Sequence, residues 1–281
     1  IIGRKNGKSL LAAAIAKYIW QIEGGFGAKV YNIAPKLDQA DIIYNNIWQM
    51  TLLDPEYQQM REILLERDSH QRKIRDDSAL PKHRQSDLFI MATNAQVKKI
   101  AFSAKKSDGF NPSLCICDEI ASWEGDAGLK QYEVMKSGMG AREEGILLSC
   151  TTAGYINDSI YDEIFKRCTR FLKGDSKERK LLPFLYVIDD ISKWNDINEL
   201  RKSNPNLGVS ISVDFMLEEI AIAEGSLSKK AEFLTKYCNI KQNSSLAWLD
   251  AQTVERCLKI SSHHTVLPVS TSHRQQTSPP P

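Results

Sequence analysis

The sequence predicts an α/β protein, a mainly parallel sheet flanked by helices, followed by a small and mostly helical unit. Three observations carry that prediction. Short apolar runs alternate with helix-length patterns up to Gly154. A glycine-lysine-serine turn stands directly before the first helical pattern, and beyond Gly154 the strands give way to helices.

The elements follow in order. Leu10 to Trp20 reads as a helix, with Leu11, Ile15, Tyr18 and Ile19 on one stripe and alanines filling the rest. Gly24, Gly25 and Gly27 stop it. Lys29 to Ala34 (KVYNIA) is a strand, and Asp38 to Met50 a helix capped by its own Asp38. The stretch from Gln58 to Asp87, crowded with both charge signs, is a surface helix and then a loop around Pro81. Strands are expected at Leu88–Thr93, Val97–Phe102, Leu114–Asp118 and Gly145–Cys150, with a helix over Gly128–Met139 between the last two. Then come a helix at Ser159–Leu172, a strand at Leu181–Ile188 and three helical stretches, the last two at Val213–Glu224 and Ser228–Tyr237. These patterns divide the chain into 1–158, 159–258 as a linker or lid, and a tail, 259–281. The tail from Ser261 holds no Asp, Glu or Lys, and its Ser/Thr/Pro/His composition predicts disorder after a shift of reading frame.

Hydrophobic residues make up 42% and charged residues 26%, enough for a globular core. The net charge of +2 leaves any nucleic-acid contact to local patches such as Lys98, Lys99, Lys105 and Lys106. No apolar run reaches the roughly 18 residues of a membrane span. The six cysteines form no CxxC pair; Cys115 and Cys117 fall on one face of a strand as reduced core residues, which points to a cytoplasmic setting. His263, His264 and His273 have no supporting acid or Cys nearby, which discounts a metal site there.

Chemistry concentrates in three places. Gly7-Lys8-Ser9 between a presumed strand and a helix is the context of a phosphate-binding loop. Glycine lets backbone N–H groups approach phosphate, the lysine reaches the β/γ oxygens, and the serine hydroxyl ligates Mg²⁺. The spacing is irregular, since Ile2 stands where the usual first glycine belongs and Gly3 comes one step late; alone, the motif is also what a surface turn looks like. About 110 residues on, Leu114 to Cys117 is an apolar strand ending in Asp118-Glu119. There the first acid serves Mg²⁺ and the second polarises the attacking water. Thr151-Thr152-Ala153-Gly154 ends the next strand, where motor ATPases place a hydroxyl-rich element that senses the γ-phosphate and couples it to movement.

The ordered set Arg4-Lys5-Asn6-Gly7-Lys8-Ser9, Ser107 to Ser113 (SDGFNPS) before Asp118-Glu119, Lys136 to Arg142 (KSGMGAR) and Thr151 to Gly154 resembles the large terminase subunit of siphovirus-type tailed phages. Asn204 to Gly208 (NPNLG) and Glu232 to Asn239 (EFLTKYCN) resemble its linker region. The resemblance covers about residues 1–257. It implies a P-loop NTPase fold and an ATP- and Mg²⁺-dependent motor that pumps double-stranded DNA into a procapsid in the host cytoplasm. Such a motor acts as a homo-oligomeric ring with a portal protein and a small terminase subunit. It also implies Lys5, Asn6, Gly7, Lys8 and Ser9 as nucleotide-binding residues, Ser9 and Asp118 on Mg²⁺, and Glu119 as catalytic base. Arg4 becomes a γ-phosphate ligand in cis, and Thr151, Thr152 and Gly154 couple hydrolysis to movement; apart from the resemblance, Arg142 reads either as a finger reaching a neighbouring subunit or as an ordinary charge at a helix C-terminus. Relative to the family, the segment ahead of the phosphate loop is expected to be missing and the nuclease domain, with its activity, absent. A different P-loop translocase or helicase, and an inactive gene remnant, are the alternatives.

Overall fold

The computed structural model describes residues 1–69, 77–102, 109–123, 125–155 and 159–242. Its centre is a six-stranded sheet. The strands are β1 (Lys29–Ala34), β2 (Lys82–His83), β3 (Asp87–Ile90), β4 (Ala95–Ala101), β5 (Leu114–Asp118) and β6 (Ile146–Cys150), in spatial order β2-β3-β4-β1-β5-β6. β4, β1, β5 and β6 are mutually parallel, with Val30 opposite both Val97 and Leu114, and Asp118 opposite Cys150. β2 and β3 add an antiparallel edge. All functional strand ends therefore emerge on one side of the sheet.

Strand alternation divides the core. Val30, Val97, Leu114 and Ile116 face α1 (Lys8–Tyr18) and α2 (Leu37–Leu52). Tyr31, Ile33, Cys115 and Cys117 face α4 (Gly125–Gly138), meeting Tyr132 and Met135. Cys115 and Cys117 are buried free thiols with Sγ atoms 3.9 Å apart, as their shared face requires. Helix α3 (Pro55–Ser69) follows α2, and α5 (Ile160–Leu172) packs on α4, with Ile160 in the core of that face. A second lobe comprises α6 (Ile197–Ser203), α7 (Val213–Glu224) and α8 (Leu227–Lys236). Its core is built on Trp194, Leu200, Met216, Ile220 and Phe233.

Four expectations need correction. The expected stripe of α1 holds only in part: Ile19 is buried and Ile15 packs on the core, but Leu11 is 65% exposed and Tyr18 is exposed, whereas Ala12, Ala13 and Ala16 pack against α2 and the sheet. Small side chains let the two helices approach the strands closely, so the methyl face wins. α2 begins a residue earlier than expected, with Lys36 as N-cap and Asp38 inside the first turn, where it meets the positive helix end without capping it. Residues 181–188 are not a strand of the sheet; they run extended beside the N-terminus, with Tyr186 N–H donating to Ile1 O (2.9 Å) and the Ile1 amine donating to Phe184 O (2.7 Å). The short β2 was not anticipated, having only two residues to signal it. The expected tail, with Cys257 and the histidines at 263, 264 and 273, lies outside the described residues, as do Lys105 and Lys106.

Candidate nucleotide site

The phosphate loop, residues 3–7, turns into α1 through two left-handed residues, Lys5 (φ 61°) and Gly7 (φ 81°). Gly7 is the position that only glycine occupies at no steric cost. No side chain caps α1, so the N–H groups of its first turn, at Lys8 and Ser9, are presented from a positive helix end. Ser9 is half-buried on that turn. Lys8 Nζ folds back onto the carbonyls of Ile2 (3.2 Å) and Gly3 (3.1 Å). Burial pushes the Lys8 ammonium below its ordinary range, while the carboxylates of Glu119 and Asp118 pull it back up.

That mutual field places the two acids beside the loop. Asp118 is the buried last residue of β5, and desolvation, then the neighbouring Glu119 charge, push its carboxyl up to about 6. Glu119 follows in the left-handed region (φ 53°), where its carbonyl accepts from Ser122 N–H at 2.8 Å. A non-glycine residue pays for that conformation, and here it turns the chain sharply at the strand tip. Trp123 Nε1 donates to Asp118 O (3.0 Å), pinning the turn from behind.

The two threonines separate by role. Thr151 is buried, its Oγ1 accepting from Ala121 N–H (3.1 Å) and donating to Thr152 O (2.7 Å), so it ties the end of β6 to the exit from β5. Thr152, also buried, lines a cavity of about 260 Å³ with Arg4, Glu119, Gly154 and Lys236, while Thr151 lines a separate one with Gly7 and Lys8. Gly154 leaves little room for a side chain, since a Cβ there would meet Ala121 Cβ and O at 3.0 Å.

Arg142 is not brought to this site. It follows a single 3₁₀ turn, and its guanidinium donates to Gly27 O (3.0 Å), Asn111 Oδ1 (2.9 Å) and Asn111 O (3.4 Å). Gly27 precedes β1, so Arg142 lies at the strand-entry edge of the sheet, opposite Lys8 and Asp118. Lys99, counted above among the surface cations, is ion-paired with Asp41 and lies 4.8 Å from the Tyr44 ring centroid.

Sequence reasoning missed the residues that hold the loop from the second lobe. Gly3 N–H donates to Ser203 O (3.2 Å) and Arg4 N–H to Lys236 O (3.0 Å). Asn6 is buried, its Nδ2 donating to Asn204 Oδ1 (2.9 Å) and its Oδ1 accepting from Asn206 N–H (3.0 Å). The one available signal was the Asn204-Pro205-Asn206 run, whose partners 200 residues away no local pattern reveals.

The residue types fit Mg²⁺ and a polyphosphate: an uncapped helix N-terminus, a lysine resting on carbonyls, and a buried Asp118 beside a half-buried Glu119, with a hydroxyl at the start of α1.

Comparison with known proteins agrees with that chemistry. The profile of the family described as terminase large subunit, ATPase domain, matches residues 1–170, which hold Arg4 through Gly154. The profile of the terminase large subunit endonuclease domain matches residues 177–265. The expectation that nuclease function is absent therefore gains no support. Protein YmfN of Escherichia coli (strain K12) is 30% identical over 154 residues, covering 54% of this chain and 33% of its own. The large terminase of bacteriophage HK97 superposes with a TM-score of 0.67 at 19% identity, over 85% of this chain and 45% of its own. The large terminase ATPase domain of Thermus phage P74-26 aligns over 84% and 85% at a TM-score of 0.43 and 18% identity. The chain thus spans less than half the length of YmfN and of the HK97 protein. With its ATPase-domain profile running unbroken through loop, acidic strand and threonine strand, the chain belongs to the terminase large subunit family.

Proposed function

We propose that this chain is the ATP-hydrolysing part of a motor subunit that drives double-stranded DNA into a phage procapsid. The observation that carries the reading is the meeting of the loop before Lys8 with the Asp118–Glu119 strand tip: Arg4 and Glu119 line one cavity, and Ile2 N–H donates to Thr151 O (3.2 Å) beside β5. In this reading residues 1–158 are the ATPase unit and 159–258 a linker. The motor acts in the host cytoplasm as a homo-oligomeric ring on a portal protein, with a small terminase subunit delivering DNA.

The residues divide the work. Lys5, Asn6, Gly7 and Lys8 enclose the phosphates, and Lys8 leaves the Ile2 and Gly3 carbonyls for the β/γ oxygens. Ser9 and Asp118 would hold Mg²⁺, which would supply positive charge to neutralise the phosphates. Glu119 accepts the proton of the attacking water. Arg4, lining the same cavity as Glu119, stabilises charge on the γ-phosphate in cis. Thr152 and Gly154 carry the response from that cavity into the chain beyond β6, with Thr151 holding the strand ends in register. Arg142 serves this mechanism only from a neighbouring subunit, after releasing Gly27 and Asn111.

The test is ATP turnover by the parent, Lys8→Ala and Glu119→Gln. Lys8→Ala is expected to lose binding, and Glu119→Gln to bind ATP while hydrolysis falls by about two or more orders of magnitude. Turnover within a few-fold of the parent in either variant rejects the assignment.

A further inference from the structure

The second lobe grips the phosphate loop along the side that faces away from α1. Besides the bonds of Gly3, Arg4 and Asn6, Ser210 Oγ donates to Lys5 O (2.6 Å) and Asn206 Nδ2 to Asn6 O (3.4 Å). Every residue from Gly3 to Asn6 is thus tied to the lobe that follows the ATPase motifs. Asn204 is the keystone. It is fully buried, its Nδ2 donating to Tyr237 O (2.7 Å) and Leu200 O (3.0 Å), which fixes its Oδ1 toward Asn6. Fit there is tight: a Cβ on Gly3 would fall 2.2 Å from Asn204 Oδ1.

We propose that Asn204, through its bond to Asn6, is a positioning residue for nucleotide binding, with Ser210 supporting it at Lys5. The inference rests on the nucleotide-site reading above. A glycine-bearing loop with two left-handed residues has many conformations of similar energy, and a ligand that must order it binds more weakly. The second lobe removes that freedom before nucleotide arrives. It satisfies the outer donors, leaves the first turn of α1 open, and holds the Arg4 backbone beside the cavity it shares with Glu119. Nucleotide and second lobe are then linked in both directions: whatever tilts α6 or α8 alters the loop, and phosphate on the loop alters their fit.

The experiment uses the whole 281-residue chain. Amide hydrogen exchange is followed without nucleotide, and affinity for Mg·ATP is measured for the parent, Asn6→Ala, Asn204→Ala, the double variant and Ser210→Ala. Asn204→Ala is expected to speed exchange at Gly3 and Arg4 while β1 and β5 stay protected, and to weaken Mg·ATP by about tenfold. The double variant is expected to be no weaker than the worse single one, because both remove the same bond. Ser210 is exposed, so Ser210→Ala keeps the fold and is expected to weaken binding about threefold if Asn204→Ala unfolds the lobe. Unchanged affinity in these variants, or losses at positions 6 and 204 that multiply in the double variant, overturn the proposal while leaving the nucleotide site intact. A parent that binds no Mg·ATP overturns the nucleotide reading, and the positioning role with it.

Discussion

Asp118 shows how one residue sets function against stability. Its carboxyl is buried at the tip of β5 and pushed up to about 6, so at neutral pH the folded chain holds an ionised acid in a poorly solvated place. With the folded value above the unfolded one, the folded state binds the proton more tightly. Stability from this group is therefore greatest at low pH and declines as pH rises from the unfolded value to about 6. Asp118→Asn removes the buried charge. The expected result is a higher melting temperature than the parent at pH 7.5, a smaller gain at pH 5, and loss of Mg²⁺-dependent ATP binding at both. A variant less stable than the parent at pH 7.5 would mean that attraction to Lys8 outweighs desolvation. The neighbouring threonines give a second contrast. Thr151→Val strands the Ala121 N–H in a buried site and is expected to lower unfolding stability by about 1–3 kcal/mol in urea titrations. Thr152→Val, at a buried position lining the cavity of Arg4 and Glu119, is expected to lower stability less than Thr151→Val does while ATP-driven DNA translocation fails.

Among the elements, α1 departs most from its sequence pattern. An amphipathic helix ordinarily buries its large residues, but α1 lies against both α2 and the sheet, where Ala12, Ala13 and Ala16 make the close contacts while Leu11 stays exposed. Ala16→Leu is therefore expected to cost about 1–3 kcal/mol by overpacking. Leu11→Ala, at an exposed site, is expected to change unfolding stability by less than about 0.5 kcal/mol. The reverse order in urea titrations would show that Leu11 is buried and Ala16 is not. β1 and β5 are the opposite case, since KVYNIA and LCICD form strands where their apolar runs place them. A strand flanked on both sides has little choice of face, so composition alone marks it.

At the scale of the whole molecule, the two lobes are joined by polar bonds where the β6 strand ends. Asn239, in the left-handed region (φ 55°) and buried, accepts from Ala153 N–H (3.3 Å) and donates to Tyr186 O (2.7 Å). Lys241 pairs with Asp162 at 2.6 Å, reaching back to the start of α5. Asn239→Ala removes both amide bonds and puts a less tolerant residue at positive φ. It is expected to cost about 2–4 kcal/mol and to split one urea transition into two as the lobes uncouple. A single unshifted transition would show that the bonds of Gly3, Arg4 and Asn6 to Ser203, Lys236 and Asn204 hold the junction without it.

What the sequence determined by itself was the class of fold and the position of the candidate residues at the strand tips. A GKS turn before a helix and an Asp-Glu pair closing an apolar strand are local patterns, and their local form already fixes which groups are exposed and where each strand ends. Tertiary structure decided everything that depends on an opposing surface. It chose the alanine face of α1, split Thr151 from Thr152, and sent Arg142 to the far edge of the sheet. It laid residues 181–188 beside Ile1 instead of in the sheet and closed Asn204 and Asn206 over the phosphate loop. Hydrogen bonds across such sequence separations leave no periodicity in the chain, because the donor and acceptor become neighbours only after the two lobes have folded together.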